Sequence, residues 1–426
     1  MDDFLRARRE RIAGALKLRD ELLLVGAGSP LPLPENSDQT YPFFAHAEYA
    51  YLAGNECIGG IVAFDPKAPV DGRWVNFVPE VTEDERIWEG RQPTEGRFRS
   101  EFPNWLALRR GRPVAMLGCP EPGISFDEGL RARVRNALTH ARRGKDGHEL
   151  ALLGRASAAT ATGFAAAAEA IRPGATERQV QIELETGFFR GGADRTGFST
   201  IVGAGPHSSV LHFSPTSRII AQGDFVLIDA GAQVGRYTAD VTRTYVAGGA
   251  PSPFQRDLHG AVLSAQRQAI ARCRSGREWK DIHLACAVDL TEGLISMGIL
   301  RGKAQSLVEQ EAHALFFPHG LGHMVGLGVR DASGLQPGRK PDPRPSLRTL
   351  RMDLPLEQHY VVTVEPGLYF IPPLLDDPRR RTRFADCVDW ARVDQFKHVG
   401  GVRIEDDVLV TAGDPEVLTA GIPKEV

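Results

Sequence analysis

Apolar positions in the first third of the chain follow a pattern of short strands separated by helices. Residues 1–20 place Phe4, Ile12 and Leu16 on one face of a predicted amphipathic helix. Short β-type runs follow at 22–26, 60–64, 74–78 and 114–118, and a helix-like stretch lies at 104–110. Strands that alternate with helices predict an α/β domain.

The remainder of the chain is richer in long helical patterns. An Ala-rich run covers 151–170, and Thr176 with Gln179 forms a capping-box pattern that predicts the start of a further helix. Long helices are predicted at 254–273 and 279–297, and β-type runs lie between the helices at 198–203, 225–228, 240–246, 361–364 and 402–410. This half therefore reads as α+β, with helices packed outside a sheet.

A basic stretch separates the two patterns. Residues 131–145 carry six Lys or Arg residues and end in a Gly-containing sequence. A nucleic-acid patch is one interpretation, but a solvated helix face beside a linker is the preferred one. We place the domain boundary near Gly144, which gives domains 1–144 and 145–426.

Composition limits the function further. The chain has 426 residues, of which 42% are hydrophobic and 25% charged, with a formal net charge of −3. Such a chain has no general attraction for nucleic acid or anionic membranes. Five scattered cysteines without CxxC spacing favour a reducing compartment. No apolar run approaches a bilayer-spanning length and the N-terminus shows no signal peptide, so a cytoplasmic protein is expected.

The stretch 225–246 holds the first candidate chemistry. Its two β-type runs flank a Gly-containing turn, and Asp229 and Asp240 stand at the run ends that face the turn. Two converging buried carboxylates repel each other unless a cation lies between them, so one or two divalent metal ions are indicated. The alternative is that both are ordinary turn aspartates.

Further polar groups occur in the same half at positions where folding alone favours other residues. His212 lies between Leu211 and Phe213, His319 and His323 lie among glycines, and Glu365 ends an apolar run. Arg403 and Glu405 alternate with Val402 and Ile404 on a predicted strand. Each residue alone has an ordinary structural interpretation, but two Asp, two Glu and one His in one domain predict a metal site.

These residues and their surroundings resemble the pita-bread metallopeptidases. Within that superfamily they resemble the Xaa-Pro branch, which comprises aminopeptidase P and prolidase. The segments that carry the resemblance are IDAG, ADVTRT, HGLGH, TVEPGLYF and GGVRIEDD. The match runs from about Gly147 to the C-terminus. The resemblance implies an α+β chain with a pita-bread catalytic domain and a smaller α/β N-terminal domain. It also implies two divalent ions, most often Mn(II), with Co(II) or Zn(II) as other occupants.

The resemblance assigns a role to each candidate residue. Asp229 would chelate one ion, His323 and Glu365 the other, and Asp240 and Glu405 would bridge both. Glu365 would also move a proton, while His212, His319 and Arg403 would line the pocket and contact substrate or intermediate. Two ions can supply a hydroxide near neutral pH that attacks the peptide carbonyl.

Two features bear on the substrate. Arg348, in the sequence SLRT, resembles a prolidase arginine that holds the substrate carboxylate, so an Xaa-Pro dipeptidase is predicted. An Xaa-Pro aminopeptidase acting on longer peptides is the alternative. The family usually has histidine where this chain has Arg330, which would either bind a carboxylate or alter specificity.

Other functional classes are compatible with the same fold. These are an inert peptide-binding module, a creatinase-like hydrolase that works without metal, and a methionine aminopeptidase. The first two normally lack some of the five ligand residues, and the third usually lacks a sizeable N-terminal domain. The expected partners are proline-containing dipeptides or short peptides and a second copy of the chain, in a homodimer or dimer of dimers, with no nucleic acid or membrane.

Overall fold

The computed structural model describes residues 2–34 and 39–425. It divides into two compact units, Met1–Arg142 and Arg143–Val426. Met1, the first residue of the predicted N-terminal helix, lies outside the described residues.

The first unit contains five helices and five strands among its described residues. The helices are α1 (Asp3–Leu16), α2 (Ala47–Ala53), α3 (Glu83–Glu89), α4 (Phe102–Ala107) and α5 (Glu128–Arg143), which reaches the first residue of the second unit. The strands are β1 (Leu22–Gly26), β2 (Ile61–Phe64), β3 (Trp74–Val78), β4 (Arg97–Phe98) and β5 (Val114–Gly118).

These strands form one mixed sheet in the order β4-β3-β2-β1-β5. The central strands β1 and β2 are antiparallel and buried along their whole length, which explains their continuous apolar sequences. Phe102 and Trp105 of α4 pack on this sheet through edge-to-face ring contacts with Phe77 of β3. The α/β domain predicted from the sequence is confirmed.

The second unit contains longer helices and several small sheets. The helices are α6 (Gly147–Ala170), α7 (Glu177–Arg190), α8 (Pro253–Arg272), α9 (Trp279–Ser296), α10 (Ala304–Glu309), α11 (Pro372–Leu375), α12 (Pro378–Arg383) and α13 (Trp390–Phe396). The strands are β6 (Arg195–Thr196), β7 (Ile201–Ala204), β8 (Phe225–Ala230), β9 (Ala232–Val234), β10 (Tyr237–Thr238), β11 (Val241–Val246), β12 (Gly334–Leu335), β13 (Met352–Asp353), β14 (Val361–Val364), β15 (Gly367–Tyr369), β16 (Gly401–Arg403), β17 (Asp406–Leu409) and β18 (Glu416–Val417).

Two antiparallel sheets meet where the candidate ligands lie. One has the strand order β11-β8-β7 and the other β14-β17-β18. A single bridge between Thr242 of β11 and Glu405 connects them, and Met324 bridges to Val362 of β14. Backbone hydrogen bonds therefore hold together both sheets, the 319–323 loop and the segment around Glu405.

Most predicted elements of this unit are present. The capping box at α7 forms as predicted, because the Thr176 side chain accepts from the Gln179 N–H and the Gln179 side chain accepts from the Thr176 N–H. The predicted strand 402–410 is interrupted, since β16 ends at Arg403 and β17 begins at Asp406. Glu405 N instead donates to the Thr242 carbonyl oxygen, so the chain passes from one sheet to another.

Candidate metal centre

Three carboxylates converge at the junction of the two sheets. Asp229 lies near the end of β8, Asp240 immediately precedes β11, and Glu405 lies between β16 and β17. One oxygen from each lies within 4.8 Å of the others. Asp229 and Thr242 are opposite each other in the β8–β11 register, and Thr242 also bridges to Glu405, which fixes this convergence.

His323 and Glu365 complete the set from the neighbouring strand. Glu365 directly follows β14, and the Thr363 hydroxyl accepts from the His323 N–H at 3.0 Å. His323 Nε2 lies 3.5 Å from Asp240 Oδ2 and 3.8 Å from Glu365 Oε1. All five sequence-predicted ligands are therefore brought together.

The protonation of His323 suits a metal ligand. Its Nδ1 lies 3.0 Å from the Met324 carbonyl oxygen, which can only accept, so Nδ1 carries the proton and Nε2 presents a lone pair. Burial lowers the pKa of His323 to about 4, which keeps the ring neutral at neutral pH.

The carboxylates are electrostatically crowded. Burial, followed by the charge of Asp229, raises the pKa of Asp240 well above its ordinary value, and burial with Asp240 does the same for Glu405. Burial raises the pKa of Glu365 to about 7. Asp229 Oδ1 is buried and has no hydrogen-bond partner within the described ranges. Oxygen donors with one imidazole, and an unsatisfied carboxylate oxygen among them, fit divalent cations.

A network behind the ligands fixes two of the carboxylates. Arg403 Nη2 donates to Asp229 Oδ2 at 2.6 Å, and Arg403 Nε donates to the Thr242 hydroxyl at 3.0 Å. The Thr242 hydroxyl donates in turn to Glu405 Oε2 at 2.6 Å. Arg403 thus orients Asp229 directly and Glu405 through Thr242.

His319 joins the same network through Tyr369. Arg403 Nη1 donates to the Tyr369 hydroxyl at 2.9 Å, and that hydroxyl lies 2.9 Å from His319 Nε2. His319 Nδ1 donates to the Gly320 carbonyl oxygen at 2.9 Å, so Nε2 accepts from the tyrosine. Burial lowers the pKa of His319 to about 3.

A cavity of about 450 Å³ opens onto the five ligands. His212, His319, Arg330 and Arg403 are among the residues that line it. Arg348 is exposed and is not among the lining residues, whereas Arg351 is.

The first unit contains a different cavity, of about 520 Å³. Arg109 and Arg112 line it and both pair with Asp65, and Glu121 is its only lining carboxylate. This cavity lacks the convergent carboxylates that a metal site needs.

Several site residues were missed by the sequence analysis. Thr242 and Tyr369 connect Arg403 to other site residues, and Asp407 Oδ2 accepts from the Asp240 N–H at 3.1 Å. Their position in the ligand motifs ADVTRT, TVEPGLYF and RIEDD was the available signal, but sequence spacing does not show which side chain turns toward the cavity.

Comparison with known families agrees with this geometry. The model of metallopeptidase family M24 matches residues 151–412, and the model of the aminopeptidase P N-terminal domain matches residues 5–103. The chain therefore belongs to metallopeptidase family M24, in the pita-bread superfamily, and it is a metal-dependent hydrolase. The predicted superfamily, fold class and enzyme class are confirmed.

Relatives are similar over nearly the whole chain. A probable Xaa-Pro aminopeptidase from Tuber melanosporum is 30% identical, with 92% of this chain and 88% of the relative covered. The structure of aminopeptidase PepP from Pseudomonas aeruginosa has a TM-score of 0.80 and 26% identity, covering 99% of this chain and 96% of that one. A zinc-substituted aminopeptidase P from Escherichia coli in complex with product has a TM-score of 0.79 and 25% identity, covering 99% and 96%.

The family implies divalent metal ions, and the five converging side chains fit them. Within the described ranges, no helix is both long and apolar enough to cross a membrane.

Proposed function

We propose that this chain is an Xaa-Pro aminopeptidase, which releases the N-terminal residue from peptides whose second residue is proline. The convergence of Asp229, Asp240, His323, Glu365 and Glu405 on one cavity carries the metallopeptidase part of the proposal. Relatives named Xaa-Pro aminopeptidase, similar in both domains, support the substrate class. They favour this alternative over the Xaa-Pro dipeptidase predicted from the sequence.

Two divalent ions would be held by these five residues. Mn(II) is the proposed occupant because the donors are mostly hard oxygens, and Co(II) or Zn(II) can occupy similar donor sets. When bound, such a pair supplies a nucleophilic water at neutral pH and polarises the scissile carbonyl.

The chain's own residues have distinct roles in the proposed reaction. Glu365 takes up on its carboxylate the proton that the attacking water loses and returns it to the leaving proline nitrogen. Arg403 keeps Asp229 and, through Thr242, Glu405 in place. His212 lines the cavity without a hydrogen-bond partner among the described residues, so its ring is available to bind substrate. His319 would have to exchange its Tyr369 contact for substrate.

The rim of the cavity is cationic. Arg330 and Arg351 are exposed cavity residues, and neither guanidinium has a hydrogen-bond or ion-pair partner within the described ranges. We propose that they attract the carboxyl end of a short peptide, the role that the sequence assigned to Arg348. Guanidinium groups at the rim would hold the carboxyl end of the peptide there, so that its amino end points inward.

The experiment is a product analysis with Mn(II) added to the full-length protein. Xaa-Pro-Xaa tripeptides should be cut before proline at a higher kcat/KM than Xaa-Pro dipeptides, and chelation should abolish cleavage. Cleavage of dipeptides alone would replace the proposal with the dipeptidase. An absence of metal binding and turnover would favour the inert peptide-binding module.

We also propose that the chain forms a homodimer through its first unit. Helix α3 has no buried residue, and Ile87 and Trp88 on it are 67% and 84% exposed. Adjacent large apolar side chains at such exposure commonly mark an interaction surface. Sedimentation should give a dimer that Trp88→Glu shifts toward monomer, and an unchanged mass for the variant would reject this surface.

A further inference from the structure

We propose that Glu177 is a positioning residue for substrate binding, which clamps the loop 205–215 so that His212 and Phe213 face the cavity. This inference rests on the proposed function only in treating His212 as a substrate contact. Glu177 is the first residue of α7 and is fully buried. It is neither a candidate metal ligand nor a cavity-lining residue.

The two oxygens of Glu177 hold opposite ends of the loop. Oε1 accepts from the N–H of Ala204, the last residue of β7, at 2.9 Å. Oε2 accepts from the Thr216 N–H at 3.1 Å and from the Thr216 hydroxyl at 2.6 Å. One buried carboxylate therefore ties together the residues on either side of the loop.

A third contact reaches into the loop. His207 Nδ1 donates to Glu177 Oε1 at 2.7 Å. The His207 ring stacks on Phe213, with ring centroids 4.2 Å apart and an interplanar angle of 29°. Phe213 follows His212 directly, and both line the cavity. The position of the Glu177 carboxylate is thus transmitted to His212 through His207 and Phe213.

The Glu177 carboxylate is ionised and accepts several hydrogen bonds. Burial alone raises the pKa of Glu177, but the hydrogen bonds from Thr216, Ala204 and His207 outweigh it, and the net shift is downward. Because the donors favour the ionised form, the carboxylate bears a charge at neutral pH. An amide in its place offers one accepting oxygen and an NH₂ group that cannot accept.

Other contacts keep the fold intact when the clamp is removed. Arg178 N donates to the Thr216 carbonyl oxygen at 3.0 Å, and Arg178 Nη2 donates to the Pro215 carbonyl oxygen at 2.7 Å. These bonds do not involve the Glu177 side chain. Loss of the carboxylate therefore frees the Ala204 and His207 side of the loop and displaces His212 without unfolding α7.

The experiment compares Glu177→Gln with Glu183→Gln, an exposed glutamate on the same helix. Glu177→Gln should lower kcat/KM for an Xaa-Pro-Xaa peptide by about one to two orders of magnitude, the loss expected when a binding group is misplaced by about 1 Å. Calorimetric titration with Mn(II) should show unchanged metal affinity. Glu183→Gln should change neither quantity.

A double-mutant cycle separates positioning from general destabilisation. If Glu177 acts through His212, Glu177→Gln should have little further effect in a His212→Ala background. Equal losses in both backgrounds, or wild-type kcat/KM in Glu177→Gln, would overturn the inference.

Hydrogen exchange provides a readout that does not need turnover. At least one of the Ala204 and Thr216 amides should exchange faster in Glu177→Gln than in the wild type or Glu183→Gln, because the glutamine keeps only one accepting oxygen. Unchanged exchange would reject the clamp even if the protein hydrolysed no peptide, whereas faster exchange without turnover would count against the proposed function alone.

Discussion

At the scale of single residues, the crowded carboxylates that could bind cations also lower the folding stability of the metal-free protein. Asp229, Asp240 and Glu405 place oxygens within 4.8 Å of one another in a buried setting. Like charges at this separation destabilise the fold unless a cation offsets them. Among the described residues, Arg403 is the one guanidinium that pairs with any of these carboxylates, and its partner is Asp229.

Repulsion between these carboxylates gives a prediction for Asp240→Asn. The amide keeps the shape of the side chain and removes one of the crowded charges, so the free energy of unfolding without metal should rise by about 1–3 kcal/mol. Added Mn(II) should raise the melting temperature of the wild type and leave that of Asp240→Asn nearly unchanged. Thermal melts with chelator and with Mn(II) measure both effects.

The control is Asp257→Asn, at an exposed position of α8. It should leave both the metal-free melting temperature and the metal-induced shift as in the wild type. A lower metal-free melting temperature for Asp240→Asn would show that repulsion between the carboxylates does not control the stability of the metal-free protein.

Residue types and motif context were enough to predict five candidate ligands that the structure brings together, whereas the direction of neighbouring side chains was not predictable. Arg348 lies in the 3₁₀ turn Pro345–Thr349 and Arg351 lies just after it, yet only Arg351 lines the cavity. The roles of Thr242 and Tyr369 depend on cross-strand register and on a contact between distant strands. Such long-range pairings leave no periodic signal in the sequence.

At the scale of elements, the predicted strands and helices correspond well to those observed where an apolar run or a cap defines them. Strands β1, β3 and β5 have the predicted limits, and α7 starts at its predicted capping box. The predicted strand 402–410 was wrong as a single element, since alternation continues through Glu405 while the chain changes its hydrogen-bonding partner. A crossing between sheets is a tertiary feature that local pattern does not contain.

The chain enters β16 through a close backbone approach at Gly400. Its φ is +91°, and an added Cβ would overlap the Gly205 carbonyl oxygen and the Ser208 hydroxyl. Ser208 Oγ accepts from the Gly401 N–H at 2.8 Å and donates to the Gly205 carbonyl oxygen at 2.6 Å, which anchors the start of β16.

Gly400→Ala should therefore destabilise the protein well beyond the cost of its backbone conformation. Gly174 is a matched control, because its φ is also +91° but no atom lies within 4 Å of an added Cβ. Gly174→Ala should cost about 1–2 kcal/mol, the usual penalty of a left-handed backbone. Gly400→Ala should exceed this by about 2 kcal/mol or more. Denaturant unfolding measures both, and equal costs would mean that the loop accommodates the methyl group.

At the scale of the whole molecule, three buried histidines that belong neither to the candidate ligands nor to the cavity lining make folding stability depend on pH. Burial lowers the pKa of His259 to about 4, of His283 to about 3 and of His313 to about 4. Because these values lie below the ordinary histidine pKa of 6.5, the unfolded chain binds protons in this window that the folded chain does not. The contribution of these three histidines to the free energy of unfolding should be complete above about pH 6.5 and should be lost as the pH falls toward 4.

His313 gives the clearest test of this dependence. It is 2% exposed, and neither ring nitrogen has a hydrogen-bond partner within the described ranges, so His313→Phe removes the titrating group without breaking a bond. The variant should lose less stability than the wild type between pH 7 and 5, by up to about 2 kcal/mol since each pKa unit is worth about 1.4 kcal/mol. Denaturant midpoints of the metal-free proteins at both pH values measure the difference, with His398→Phe as a control at an exposed position. Parallel losses in His313→Phe and wild type would show that His313 is already protonated, or reached by water, in the folded state.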